Sequence, residues 1–150
     1  MKIIRHLETK FKGHELTRLV EQILKAQGYV TTASPPGPDG GIDILAGSGP
    51  LGFSDPKICV QVKSTEGQAD VKIYRELVGV MSKVKADFGL LVSWSGFNNK
   101  MLKEAKEDFF KVRLWSANDV VDEIFKHYDK FSDEFKAELP LKKIWTLVKD

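Results

Sequence analysis

Between residues 57 and 128 the chain alternates short β-prone runs with longer segments of helical period, and this alternation constrains the fold more than any other feature. Residues 57–63, 88–93 and 112–115 are rich in Val, Ile, Leu and aromatic side chains, the composition of strands packed on a pleated surface. Between and after them, 70–81, 98–110 and 117–128 have a helical pattern; Val71, Tyr74, Leu77, Val78 and Met81 form the clearest stripe. A strand that returns to its sheet through a helix runs parallel to its predecessor, and the helix covers one face. The expected architecture is an α/β domain whose sheet is covered on both sides.

Upstream, Leu16, Leu19, Val20, Ile23 and Leu24 predict an amphipathic helix over 14–27, stopped by Gly28. A β-prone run over 29–32 follows, then Ser34-Pro35-Pro36-Gly37-Pro38-Asp39-Gly40-Gly41, a loop by composition. Residues 42–46 read as a strand joined through a hairpin-like connection, 47–56, to the run at 57–63. No repeat or low-complexity tract interrupts the pattern, so one domain over 1–150 is expected, a size that holds one full core. Its last segment, 131–150, offers Leu141, Ile144, Trp145, Leu147 and Val148 for packing on the core or on a partner.

Composition narrows the function classes. No apolar stretch approaches the roughly 20 residues needed to cross a bilayer, and the N-terminus carries no signal-peptide core, so a soluble, cytoplasmic protein with no membrane partner is expected. The single cysteine, Cys59, forms no internal disulfide; with His6, His14 and His127 scattered there is no zinc set, and it reads as a small buried hydrophobe. Twenty-three Lys and Arg against 21 Asp and Glu leave a net charge of +2, which by itself argues neither for nucleic acid nor for a polybasic anchor.

Strand alternation carries the chemistry. Over 57–63, Ile58, Val60 and Val62 share one face, and Lys57, Cys59, Gln61 and Lys63 the other. Gln61 and Lys63 therefore point the same way, about 6–7 Å apart at Cα. On a sheet buried on both faces such a polar pair needs partners. In the preceding strand Ile42 and Ile44 face one way and Asp43 the other, so hairpin pairing would let Asp43, Gln61 and Lys63 converge. An acid, an amide carbonyl and an ammonium so grouped can hold a divalent cation through oxygen and stabilise developing charge. The same spacing also fits an ordinary cross-strand ion pair between Asp43 and Lys63, with Gln61 a solvated neighbour. Gly40 and Gly41, just before Asp43, favour the close approach of a ligand.

Asp39-Gly40-Gly41-Ile42-Asp43 followed by Val60-Gln61-Val62-Lys63-Ser64 resembles the catalytic domain of Mrr-like restriction endonucleases, a branch of the PD-(D/E)xK nuclease superfamily. The likeness extends to the opening helix, Lys12-Gly13-His14-Glu15-Leu16 through Gln27-Gly28-Tyr29. It also takes in Gly89-Leu90-Leu91-Val92-Ser93-Trp94-Ser95-Gly96-Phe97, similar to the family's strand ending in a hydroxyl-rich turn and a phenylalanine. The resemblance implies a restriction-endonuclease-like three-layer fold, a central mixed sheet flanked by helices, and Mg²⁺-dependent hydrolysis of DNA phosphodiesters, with Mn²⁺ able to substitute. It further implies Asp43 as the main metal ligand, Gln61 in the place many relatives fill with Glu or Asp, and Lys63 on the attacking water or the scissile phosphate. A neutral amide ligates less tightly than a carboxylate. A lysine that keeps its proton suits charge stabilisation, whereas a base needs a lowered pKa.

One departure bears on the metal site. Relatives commonly carry a Phe-Glu pair on the first helix, and the positions that align are Leu16 and Thr17. Glu15 is the nearest substitute metal ligand and Glu21 the next. Residues two apart on a helix point about 200° away from each other, so Glu15 replaces position 17 only with a shift in register; otherwise it is a solvated first-turn glutamate. Asp39 reads as a turn residue within Pro-Asp-Gly. Ser64, Ser95, Asn98 and Lys100 join Lys63 as candidate DNA contacts, although Ser95, Asn98 and Asn99 also sit where helix caps belong. Lys83, Lys85, Lys103 and Lys106 fit backbone contacts or a solvated face, since Glu104, Glu107 and Asp108 are interleaved.

The reading that emerges is the cleavage domain of a restriction system, type II-like or type IV, with DNA as its partner and modification dependence open. A non-catalytic DNA-binding or assembly module on the same fold, and a repair or junction nuclease, are the alternatives. One site cuts one strand, so a homodimer is the economical expectation, through Trp145 or the helix bearing Gly79. Target reading is expected from a separate domain or subunit.

Overall fold

A computed structural model describes residues 2–34, 42–142 and 144–147. The turn residues Asp39, Gly40 and Gly41 and the tail residue Val148 lie outside the described residues. In chain order the elements are α1 (Lys2–Lys10), α2 (His14–Ala26), β1 (Val30–Ala33), β2 (Ile44–Ser48), β3 (Ser54–Lys63), α3 (Val71–Val84), β4 (Phe88–Ser93), α4 (Asn99–Ala105), β5 (Val112–Trp115), α5 (Ala117–His127) and α6 (Asp133–Glu138).

The strands form one sheet in the order β1-β2-β3-β4-β5. β1, β2 and β3 pair antiparallel, whereas β3, β4 and β5 run parallel, so the sheet is mixed. The parallel half follows from the alternation of strand and helix, because α3 and α4 are the crossovers that return β4 and β5 to the same direction. The helices after β3, β4 and β5 start where a side chain can accept an orphan N–H: Asp70 accepts from Ile73 at 3.1 Å, Asn98 from Met101 at 2.9 Å, and Ser116 with Asp119 closes a capping box on α5.

Helices cover both faces, giving three layers. On one face Ile44, Val60, Leu90 and Val92 pack with Leu19, Val20 and Ile23 of α2, Ile124 of α5 and Phe135 of α6. On the other, Cys59 and Leu91 pack with Tyr74, Leu77 and Met81 of α3 and Met101 of α4. The alternation of β3 thus sends Val60 to one core and Cys59 to the other; each large apolar side chain fully buried contributes about 1.5–3 kcal/mol. α3 lies so close to β4 that a Cβ on Gly89 would sit 2.5 Å from the Met81 sulfur, which is why this strand position carries none.

Several boundaries differ from the sequence expectation, among them β2, expected over 42–46 and found over Ile44–Ser48. Helix α1 has no counterpart in it, although Ile3, Ile4, Leu7 and Phe11 form an apolar stripe that packs on the first core. Strand β3 begins at Ser54, ahead of Pro56, a residue that cannot donate to a ladder; there its carbonyl accepts the Ser48 hydroxyl at 3.5 Å, and the β4 register starts at Ile58. Helix α4 ends at Ala105 and tightens into a single 3-10 turn over Lys106–Asp108, which leaves Phe109 and Phe110 exposed. In the tail, Phe131, Phe135 and Leu139 are buried, while Ile144, Trp145 and Leu147 are exposed. Among the described residues no helix is long and apolar enough to cross a membrane.

Candidate active site

Antiparallel β2 starts at the same edge of the sheet where β3 ends, and this edge collects the polar residues of the hairpin. Ile44 is the register partner of Val60, where the paired register ends; Ile42 packs with the Cys59 core and Ile44 with the Val60 core, so the expected sharing of one face by Ile42 and Ile44 does not hold, and Asp43 sits at the break. The Asp43 backbone bonds to both neighbours: its N–H donates to Val60 O at 2.9 Å, one residue out of the Ile44–Val60 register, and its carbonyl accepts from Ser34 N–H at 2.8 Å. Its side chain reaches across to β3, where Oδ2 accepts the Val62 N–H at 2.6 Å. A charge-assisted bond to a strand N–H fixes the carboxylate against the end of β3. The Cys59 thiol registers that placement: burial first and the Asp43 charge second push its pKa up to about 11.

Gln61 lies on the Cys59 face of β3, and its Oε1 is buried without a hydrogen-bond donor among the described residues. A buried carbonyl oxygen left so costs about 1–3 kcal/mol unless something electropositive meets it. Its parallel register partner is Leu91, fully buried, and with Cys59 it gives the site a dry floor. Lys63, the last residue of β3, does not turn toward Asp43. Its ammonium donates to three carbonyls of the following loop: Thr65 at 3.0 Å, Glu66 at 3.1 Å and Gly67 at 2.6 Å. An ammonium has three donors, and all three are engaged.

The structure separates the remaining expected residues. Glu15 gives its carboxylate to Arg18 at 2.7 Å, and Arg18 in turn holds Glu138 of α6 through two bonds of 2.8 and 3.0 Å. Glu21 accepts from the Thr31 hydroxyl at 2.8 Å, tying α2 to β1, and Thr17 is buried on α2. Ser64 and Ser95 share a cleft of about 660 Å³ whose other walls are Glu8, Phe11, Lys12, Gly13 and Leu16 from α1, α2 and their junction, and Thr65, Glu66 and Trp94 from the strand ends. Asn98 is the α4 cap, and Lys100 sits apart, grouped with Lys72, Arg75 and Glu76 on the outer surface of α3 and α4. No set of three or more Asp, Glu, His or Cys side chains suited to a metal occurs among the described residues.

Sequence reasoning missed the loop 64–68 and the Trp94 indole, which donates to Glu8 at 3.2 Å and helps wall the cleft. The turn composition Ser64-Thr65-Glu66-Gly67 signalled a loop but not which way its carbonyls point. Also unread was Ser93, fully buried beside Lys63 in register, whose hydroxyl donates to Gly96 O at 2.8 Å and shapes the β4–α4 turn.

A family model described as Restriction endonuclease, Mrr_cat, matches residues 8–124. The chain belongs to this family. Its span takes in the hairpin, the parallel strands and most of α5, so Asp43, Gln61 and Lys63 all lie within it. Among solved structures, the DNA modification-dependent restriction endonuclease AspBHI matches with a TM-score of 0.66 and 17% identity, over 93% of this chain and 38% of that one. The restriction endonuclease MspJI in complex with a 27-mer oligonucleotide matches with a TM-score of 0.55 and 16% identity, over 93% of this chain and 32% of that one. The mixed sheet between helical layers is therefore the restriction-endonuclease fold of a nuclease family, and the chain spans about a third of the length of these two structures. No curated protein matches it.

Proposed function

We propose that this chain is the DNA-cleaving domain of a restriction system, hydrolysing phosphodiesters with Mg²⁺, or Mn²⁺ in its place, held at Asp43 and Gln61. The observation that carries the reading is the buried Gln61 Oε1, without a donor among the described residues, on the strand whose Val62 N–H holds the Asp43 carboxylate. Hard divalent cations take oxygen ligands of this kind, and water completes the shell. When bound, the cation supplies Lewis-acid stabilisation of charge on a phosphoryl oxygen. The chain's own contribution is placement: Val62 N–H orients Asp43, and Leu91 and Cys59 keep bulk water from beneath Gln61. Lys63 adds positive charge at the strand end, where a phosphate group developing charge gains from it.

Ligands of open α/β sheets bind outside the carboxyl ends of the strands, and the proposed site occupies that edge of β3 and β4. AspBHI, described as modification-dependent, and MspJI, solved with an oligonucleotide, support DNA as the partner and modified DNA as the target. A double-strand break calls for two copies, hence a homodimer, and target reading is assigned to a separate domain or subunit. A second reading, binding without cleavage, is favoured by the three spent donors of Lys63.

Supercoiled plasmid, modified and unmodified, incubated with Mg²⁺ or EDTA separates the two. Nicking or cutting with Mg²⁺ that Asp43→Ala and Lys63→Ala abolish is the expected result; no cleavage under any metal or modification state leaves only binding. For Gln61→Glu, a carboxylate in place of the amide tightens Mg²⁺ binding by about tenfold in calorimetry, and an unchanged affinity removes Gln61 from the ligand set.

A further inference from the structure

The cleft of about 660 Å³ at the end of β3 adjoins the proposed cation site without sharing a residue with it. Ser64, which lines it, follows Lys63 directly, and Trp94, which walls it, donates its backbone N–H to Lys63 O at 3.5 Å. By strand parity Gln61 lies with Cys59 on the α3 side of the sheet, whereas Phe11, Leu16 and Trp94 belong with the core on the α2 side. A DNA strand laid across this edge of the sheet reaches both.

The walls suit a flat, uncharged group. Phe11 and Leu16 are buried and give an apolar floor, and the half-buried Trp94 indole is held by the bond from its Nε1 to Glu8 at 3.2 Å. An aromatic side chain fixed in advance loses little conformational entropy when a ring packs on it. Ser64, Thr65 and Ser95 add hydroxyls, which donate and accept, and Glu66 adds a carboxylate, which accepts. None of these four side chains is hydrogen-bonded to another described residue. Among the lining residues Lys12 stands against the carboxylates of Glu8 and Glu66, so a phosphate inside would meet net negative charge. Beside the cleft, Arg5, one turn before Glu8 on α1, and Lys12, two residues past that helix, are exposed and can meet phosphates outside it. The volume falls in the range of small-ligand sites, about 300–1,000 Å³.

We infer that this cleft binds a single unstacked base of the DNA strand held at the cation site. The base packs against Trp94 with its edge on the hydroxyls and Glu66, and its flanking phosphates lie on Arg5 and Lys12. A base inside a duplex has both faces covered by its neighbours, so only one taken out of the stack, or one at an unpaired end, offers a face to the indole. This rests on DNA being the partner, as proposed above.

The test compares two single-stranded oligonucleotides of equal length and charge, one of thymidine nucleotides and one abasic throughout, bound to the chain in EDTA. Fluorescence anisotropy reads affinity, and the indole N–H signal of Trp94 in the ¹⁵N-labelled chain reads the site. The base-bearing strand is expected to bind about tenfold more tightly than the abasic one and to move that signal. Trp94→Ala should lower its affinity to that of the abasic strand, whose own binding stays unchanged; Trp94→Phe, which keeps an aromatic wall, should keep the preference. Lys12→Gln should weaken both strands alike and reduce the slope of log affinity against log salt by about 0.7. Equal affinities of the wild type for the two strands, binding of neither, or a preference that survives Trp94→Ala overturns the inference. Base preference without cleavage under any metal supports the cleft while sinking the nuclease reading; cleavage without base preference does the reverse.

Discussion

The two ends of the parallel strands are built from opposite materials. At the carboxyl end, polar groups are drawn inward: Asp43 onto Val62, Lys63 onto its loop, the Ser93 hydroxyl onto Gly96. At the amino end, apolar groups are left outside: Leu51 and Phe53 on the hairpin are 71% and 77% exposed, Phe110 before β5 is 84% exposed, and Phe88 and Phe109 accompany them. Two shallow apolar clefts lie there, one beside Leu51 and Phe53 and one beside Phe88 and Phe110. The strands themselves are alike at both ends, so the contrast comes from the connections. An α/β sheet fixes which face a side chain takes; its loops decide which end can hold charge.

The sharpest way to break the comparison is at Asp43. Asp43→Ala removes the carboxylate held at the end of β3 and is expected to lower Mg²⁺-dependent plasmid cleavage by about a hundredfold to a thousandfold, several kcal/mol of transition-state stabilisation. A variant that cuts at the wild-type rate would show that the polar end is not the catalytic one.

At the other end, Gly89→Ala should act on stability alone. The added methyl meets Met81 and Leu77 at 2.5 to 3.3 Å, so overpacking is expected to destabilise the fold by about 1–3 kcal/mol in urea titrations. Cleavage per folded molecule should be unaltered.

Glu138→Gln probes a tie between α2 and α6 that serves neither end. Hydrogen bonds from Arg18 hold the Glu138 carboxyl below its ordinary value of 4.5. A depressed folded pKa means the stabilisation is complete above the unfolded value and is lost as pH falls through the folded one. Wild type should therefore exceed the variant by about 0.5–1 kcal/mol at pH 7, with the two converging in urea midpoints as pH falls through the lowered folded value. The smallest effect is expected from Phe53→Ser with Phe110→Ser: stability within about 0.5 kcal/mol and cleavage unchanged, since both side chains are exposed. A large loss of stability there would mean that the amino end is packed against something.

How far this was readable beforehand differs from residue to residue. The strands at 88–93 and 112–115 and the opposite faces of Val60 and Gln61 follow from alternation, which is local, and the structure repeats them. Hairpin pairing brings Asp43 to the Val60–Val62 stretch, as assumed, but the expected parity fails, since Ile42 packs with the Cys59 core and Ile44 with the Val60 core; alternation does not foresee a break at a strand's start. The direction of the Lys63 side chain did not follow. Strand parity names the face, but which acceptors an ammonium finds there depends on three main-chain carbonyls in a loop without periodicity. The same holds for Glu15, whose partner Arg18 is anchored by Glu138, 120 positions away in the chain.

Asp43 and Gln61 are eighteen positions apart on one hairpin, and the bond that orients Asp43 ends on Val62 of that hairpin. The geometry around the proposed cation is thus written in short-range contacts, the kind that close early because little chain entropy is lost in forming them. Such a unit travels intact when loops, partners or whole neighbouring domains are exchanged around it. A lineage is then free to change what it reads without rebuilding what it cuts with.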